Sequence, residues 1–275
     1  MTQDTIISAG DIDRLTRAID AVGTRAFPRL FVELCAGLVH ADAAHLSAFF
    51  TKARPVEIFS SRSEPDALSA LSIYLEVGFV LDPFYQLFLN APRDRVDGLA
   101  DIAPDDFRRS EYYAKFFSAL NLRDECGLML PLNPEAALFL SMGVHDNRKM
   151  DLNRITSLLP ALSALARRHW TVLTPERFDG TGRLAAQLEE AFTSFGASLL
   201  SPREGEITRM ILQGHSSKAI AIAFDNSPET IKVHRKRIYT KLNVSSQGEL
   251  LSLFLEALRR MPAGARGDPI SYITS

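Results

Sequence analysis

The sequence predicts two domains of different class: an α+β domain, an antiparallel sheet flanked by helices, over residues 1–172, and an all-α domain over residues 199–260. Three observations carry this reading. The hydrophobic period moves between 3.6 and 2 in the first domain. After Leu200, explicit helix-start signals follow one another. Charge is divided too: between Leu199 and Arg260, ten Lys and Arg stand against six Asp and Glu, giving that segment +4 in a chain of net charge −2 and leaving −6 elsewhere. A small basic module joined to a larger acidic one suits a polyanionic partner.

In chain order, residues 11–22 and 27–39 place apolar side chains at three- and four-residue intervals and read as helices. HLSAFFTK (45–52) and PVEIFSSR (55–62) are short β-favouring runs separated by Ala53 and Arg54, a hairpin. Residues 67–81 and 82–91 look helical, the second with Asp82 as N-cap and Pro83 at the first helical position. A further helix is expected at 104–120, then strands at 124–132 and 136–144 around the turn Asn133-Pro134-Glu135, and a helix at 151–169. Residues 173–198 form the expected linker, turn-rich at first and then an amphipathic helix from 183 to 195; residues 261–275 are expected to be a flexible tail.

The second domain announces its helices by their caps. Ser201, Pro202 and Glu204 make a capping box with Pro at N1, Ile207, Met210 and Ile211 share one face, and Gly214 can end the helix. A short helix begins at Ser216 or Ser217, and Ser227 with Pro228 starts a third, PETIKVHRKRIYTKL. Short helix, tight turn, basic helix is the order of a helix-turn-helix. On the third helix Ile231, Ile238 and Leu242 define a buried side, while Val233, Lys236 and Thr240 lie roughly opposite, flanked by Lys232 and Arg237. Such a face suits a major groove: an apolar side chain can touch a thymine methyl, and lysines can reach base acceptors or phosphates.

Residues 199–251 resemble the C-terminal DNA-binding domain of LuxR-type transcription regulators: S-P-R-E at the first helix, G-x-S-x-K-x-I-A at the second, T-I-K-V-H at the third and K-L-N-V-S-S before the fourth. The resemblance implies that Lys232, Val233 and Lys236 face bases and that Ser217, Lys218, Thr230, His234 and Arg235 lie near phosphates, beside Arg237. It implies that the fourth helix, from Ser246, helps dimerise the domain. Departures are Ala219 for the usual Glu, Asn226 for Ile or Val, and Asn243 for Gly. His234 reads equally as a partly buried structural histidine.

Such a module needs an input. The N-terminus shows no strand ending in paired acids and the chain no GxxxxGK[ST], which disfavours a phosphoryl-accepting receiver and a P-loop ATPase. The remaining option, a ligand sensor and dimerisation domain similar to PAS- and GAF-like or autoinducer-binding domains, fits the α+β order. Residues 74–88 and 107–132 resemble sensor halves of LuxR-type regulators, in which a Tyr and an Asp-Pro help bind acyl-homoserine lactones; Tyr74 and Asp82 correspond, but the pocket tryptophans do not, since Trp170 is the only Trp. Tyr74, Phe79, Asp82, Phe84, Tyr85, Tyr113 and Phe117 are the candidate ligand-binding residues. Ordinary core packing accounts equally for each aromatic, and N-capping accounts for Asp82.

The 46% hydrophobic and 23% charged content is that of a globular protein, and no apolar run reaches the roughly 18 residues of a membrane span. The N-terminus lacks a signal-peptide pattern, so the expected location is the cytoplasm, with no membrane partner. Cys35 and Cys126 offer no disulfide framework, the six histidines no close metal-ligand pair, and no cofactor or catalytic residue is expected. The chain is therefore read as a non-enzymatic regulator: a homodimer that binds a two-fold-related operator in double-stranded DNA and a small, apolar or aromatic effector, with RNA polymerase as a candidate partner. A regulator controlled by a protein partner or by dimerisation alone is the alternative, and a catalytic first domain a remote one.

Overall fold

The computed structural model describes residues 7–117, 119–171, 184–262 and 264–273, without the side chains of 184–186. The chain opens with helices α1 (Ala9–Asp20) and α2 (Phe27–Val39), then the hairpin β1 (Ala43–Phe50) and β2 (Val56–Ser60). Helix α3 (Pro65–Glu76) ends earlier than its hydrophobic pattern suggests, because a 3-10 turn over Gly78–Leu81 re-aims the chain before α4 (Pro83–Asn90). A short strand, β3 (Arg95–Gly98), and α5 (Leu99–Ile102) follow, neither of them anticipated. The helix expected over 104–120 is broken instead: a 3-10 turn at Phe107–Arg109 precedes α6 (Glu111–Phe116), whose N-cap Ser110 accepts a hydrogen bond from the Tyr113 amide. Strands β4 (Asp124–Asn133) and β5 (Ala136–Val144) and helix α7 (Asn153–His169) complete the domain.

The five strands form one antiparallel sheet in the order β2-β1-β5-β4-β3. Strand β1 is buried along its whole length, as a strand covered on both faces must be. Alternation sends Ala44, Leu46, Ala48 and Phe50 into a core with α1, α2 and α7. The opposite face, carrying His45, Ser47 and Phe49, turns toward α3, α4 and α6.

The expected turn-rich linker, residues 173–182, lies outside the described residues. Helix α8 (Leu184–Ser194) precedes α9 (Pro202–Gln213), α10 (Ser217–Ala223), α11 (Pro228–Leu242) and α12 (Gln247–Arg260). The caps are as the sequence predicts: Ser201 and Glu204 bond each other's backbone amides, and Ser216 and Ser227 accept from Ala219 and Thr230. Asn243 takes the left-handed conformation, φ 53°, that glycine would adopt freely; Asn is the residue best able to replace it there. Phe254 of α12 packs against Phe192 and Phe195, which ties α8 to this domain.

The tail, expected from the sequence to be flexible, carries local structure in its described residues. Asp268 accepts hydrogen bonds from the amides of Gly196 and Ser198 at 2.9 and 2.8 Å and caps a 3-10 turn over Pro269–Tyr272 that buries Ile270. Ile270 and Tyr272 find apolar partners only once α8 and α12 are side by side, which local sequence does not reveal.

Candidate functional site

A cavity lies between the sheet face of β1, β5 and β4 and the helices α3 and α6. Its volume is about 60 Å³. Leu71, Phe116, Phe117, Leu120, Leu122 and Phe139 supply apolar wall. Polar groups enter at two places. At the first, the Tyr74 hydroxyl donates to Asp82 Oδ2 at 2.5 Å, and Asp82 Oδ1 accepts from the Phe84 amide at 2.8 Å. Burial raises the Asp82 carboxyl to about 6, although the bonds from Tyr74 and the backbone oppose the shift.

At the second, Arg62 beyond β2, His45 on β1, Ser141 on β5 and Glu125 on β4 form a row across the sheet. Ser141 hydrogen-bonds Glu125 Oε1. Burial, reinforced by the negative field of Asp82, pushes Glu125 up to about 8. Burial, reinforced by Arg62, holds His45 down at about 4, so its ring is neutral at physiological pH.

Of the ligand candidates read from sequence, Tyr74, Asp82 and Phe117 line the cavity. Phe79, Phe84, Tyr85 and Tyr113 stand outside its lining, as packing. Phe79 meets Tyr85 edge-on, Tyr85 donates to the Phe50 carbonyl at 2.9 Å, Phe84 leans on Phe139, and Tyr113 stacks on Phe117. Sequence reading missed His45, Arg62, Glu125 and Ser141. The available signal was polar His45 and Ser47 at alternate positions of an otherwise apolar strand.

The second functional surface is α11. Lys232, Val233, Lys236 and Arg237 are exposed, Val233 at 50%. Lys218 is exposed as well, and Ser217, Thr230, His234 and Arg235 are half-buried. Arg235 reaches Ser217 Oγ at 3.4 Å, the Tyr239 hydroxyl at 3.3 Å and Gln247 Oε1 at 3.2 Å, so it braces α11 against α10 and α12. Beneath it, Lys241 bonds Glu204 at 2.6 Å; that bond and the Ser201 amide hold the Glu204 carboxyl down at about 2.

The two domains are docked. The Ser216 amide and hydroxyl donate to the two oxygens of Asp105 at 3.1 and 2.5 Å. Gly214, at φ 92°, lies so close to Phe107 that a Cβ there would stand 2.9 Å from the Phe107 Cα. Arg259 of α12 faces Glu76 of α3 at 3.7 Å, and α12 packs on α6. Apolar core is continuous from Phe116 and Phe117 to Ile211, Leu250 and Phe254. The basic face of α11 remains open in this arrangement.

Residues 198–254 match the GerE family, bacterial regulatory proteins of the luxR family. A protein from the exeN 3′ region of Aeromonas salmonicida, assigned as an HTH-type transcriptional regulator, is 32% identical over 192 residues, spanning 66% of this chain and 97% of its own. The transcriptional regulatory protein FixJ of Bradyrhizobium diazoefficiens is 41% identical over 58 residues, 21% of this chain and 28% of its own. In fold, the first domain is similar to the ligand-binding domain of VqsR from Pseudomonas aeruginosa, with TM-score 0.52 and 24% identity over 61% of this chain and all of that one. The helix-turn-helix geometry and these matches together place the chain in the LuxR family of bacterial DNA-binding transcription regulators.

Proposed function

We propose that this regulator senses a small molecule in the cavity between its sheet and α3/α6, and that occupancy controls how its helix-turn-helix engages a two-fold-related operator as a dimer. An antiparallel sheet flanked by helices, as in PAS- and GAF-like sensors, offers a rigid wall for such a site. The observation that carries the reading is the cavity with apolar wall and convergent polar groups in one half of a chain whose other half presents an open basic helix. The lining of the cavity includes Tyr112, Phe116 and Phe117, and α6 also touches α12, so a ligand that prefers one position of α6 shifts the docking equilibrium by its differential affinity for the two arrangements. Lys232, Val233 and Lys236 read base edges, with Ser217, Lys218, Thr230, His234, Arg235 and Arg237 toward the backbone. The surroundings expected for all of this are cytoplasmic; among the described residues no helix is long and apolar enough to cross a membrane.

The test selects operators from a random duplex pool with the full chain and footprints the winner. Two protected half-sites about one helical turn apart are expected. A thermal-shift screen of the same full chain against small metabolites is expected to give a saturable rise, since a ligand selective for the native state stabilises it. A single asymmetric footprint argues against the dimer, and no saturable shift argues for control by a partner protein.

A further inference from the structure

The two polar places in the cavity differ in what they leave unspent. At the Tyr74–Asp82 end both carboxylate oxygens have protein donors, at 2.5 and 2.8 Å. Across the sheet, both ring nitrogens of His45, Nη2 of Arg62 and Oε2 of Glu125 are buried with no hydrogen-bond partner among the described residues, and His45 Nδ1 stands 3.7 Å from Glu57 Oε2 on β2. His45 is 9% exposed and Glu125 5%. Native interiors seldom leave such atoms unpaired. Three residues that line one cavity and carry such atoms make the pattern of a site whose partner arrives from outside.

We propose that the Arg62–His45–Glu125 row is a second polar anchor for the effector, and that it selects a small molecule whose head group carries a hydrogen-bond donor next to a carbonyl-type acceptor, such as an α-hydroxy or α-amino amide. This rests on the sensing role proposed above and assigns the chemistry of that site. The chemistry follows from the inventory of the row. Arg62 can only donate, so the head needs an acceptor. A neutral imidazole has one donor nitrogen and one acceptor nitrogen, so the head needs a donor as well. Glu125, near neutrality because of its burial, serves either role. A simple anion would satisfy Arg62 but face Glu125 and Asp82, and a simple cation would face Arg62. A pure hydrocarbon would leave all four atoms orphaned. The room of about 60 Å³ suits the head and a short chain, with the apolar end against Leu71, Phe116 and Leu122.

The experiment measures binding of the full chain by calorimetry to probes sharing one six-carbon chain: 2-hydroxyhexanamide, hexanoate, hexylamine and hexanoyl-homoserine lactone. The variants are Glu125→Leu and His45→Leu. The expected result is that 2-hydroxyhexanamide binds at least tenfold tighter than hexanoate or hexylamine, and that each variant loses at least tenfold of that affinity. A second readout needs no ligand: if the row awaits a partner, Glu125→Leu or His45→Leu raises the apparent melting temperature of the ligand-free protein. If both variants melt lower than the parent, the row is structural and the proposal fails. Tight binding of hexanoyl-homoserine lactone, or of a single-function head such as hexanoate, that is unaffected by Glu125→Leu overturns the second anchor while leaving the sensing role in place. No saturable binding by any probe, with unchanged melting in both variants, overturns the anchor, while the sensing role stands or falls with the metabolite screen.

Discussion

The reading helix and the polar row of the cavity both gather charged and polar side chains, under opposite conditions. On α11, Lys232, Lys236 and Arg237 stand in water, where a like-charged cluster costs little because solvent and salt screen it. On the sheet, His45 and Glu125 are buried, and the loss of water moves the first down to about 4 and the second up to about 8. The same kind of residue is cheap to display and costly to enclose. Substitutions on the helix should therefore change what the protein binds, whereas substitutions at the cavity should change both stability and binding.

The largest expected effect lies on the helix. Lys232→Ala with Lys236→Ala should weaken operator binding by about 1–3 kcal/mol per base-reading residue, and should reduce the slope of log affinity against log salt by about 1 for each phosphate no longer neutralised. Thermal stability should stay within about 0.5 kcal/mol of the parent, as for surface sites. Gel-shift titrations at several salt concentrations and calorimetry check both, and unchanged affinity would remove α11 as the reading element.

Next comes the satisfied end of the cavity. Tyr74→Phe leaves the buried Asp82 carboxylate without its hydroxyl donor, and should cost about 1–3 kcal/mol in urea unfolding. A cost near zero would mean that water reaches Asp82.

The pH dependence separates the two regions further. Glu125 titrates higher in the folded protein, about 8, than in an unfolded chain, so the folded state holds the extra proton between roughly 4.5 and 8 and stability should fall as pH rises through that window. Burial dominates this shift; Asp82 and Asp124 add to it, while Ser141 and Arg62 oppose it. Glu125→Gln should flatten the slope in melting curves recorded from pH 5 to 9.

The smallest effect has the opposite sign. Glu204 titrates lower when folded, about 2, so the stability from its bonds to Lys241 and the Ser201 amide is present above roughly 4.5 and lost as pH falls toward 2. Lys241→Met should shrink that acid-side loss in melts of the full chain. The change should be small, because a single partly exposed pair contributes little.

How much was legible in the sequence follows from the range of the forces involved. The caps at Ser201, Ser216 and Ser227 each act on an amide three residues away, so their signals survive in any window of sequence. The outward face of α11 is equally local, since it needs only 3.6-residue periodicity. Strand β3, with Val96 as its one large apolar residue, carries no such signal and exists because β4 offers it an edge. The break in the helix expected over 104–120 could have been found from Ser110 followed by Glu111, a cap at the junction.

The cavity was only half legible for a related reason. Tyr74 and Asp82 are eight positions apart, on either side of one 3-10 turn, whereas His45, Glu125 and Ser141 come from three strands joined by register and Arg62 from beyond a fourth. Their convergence depends on β1 pairing with β5 and on that sheet face being covered by α3 and α6.

By itself the sequence determined the two-domain division, the capped helices and the open basic face, because each is set by bonds within a turn or by charge that stays in solvent. Only the tertiary structure decided which polar side chains lose their water without gaining a partner, which aromatics become wall and which become packing, and how Asp105 and Phe107 hold the second domain. These outcomes depend on distances between residues far apart in the chain, and burial, which gives them their energy, exists only once the chain has closed around them.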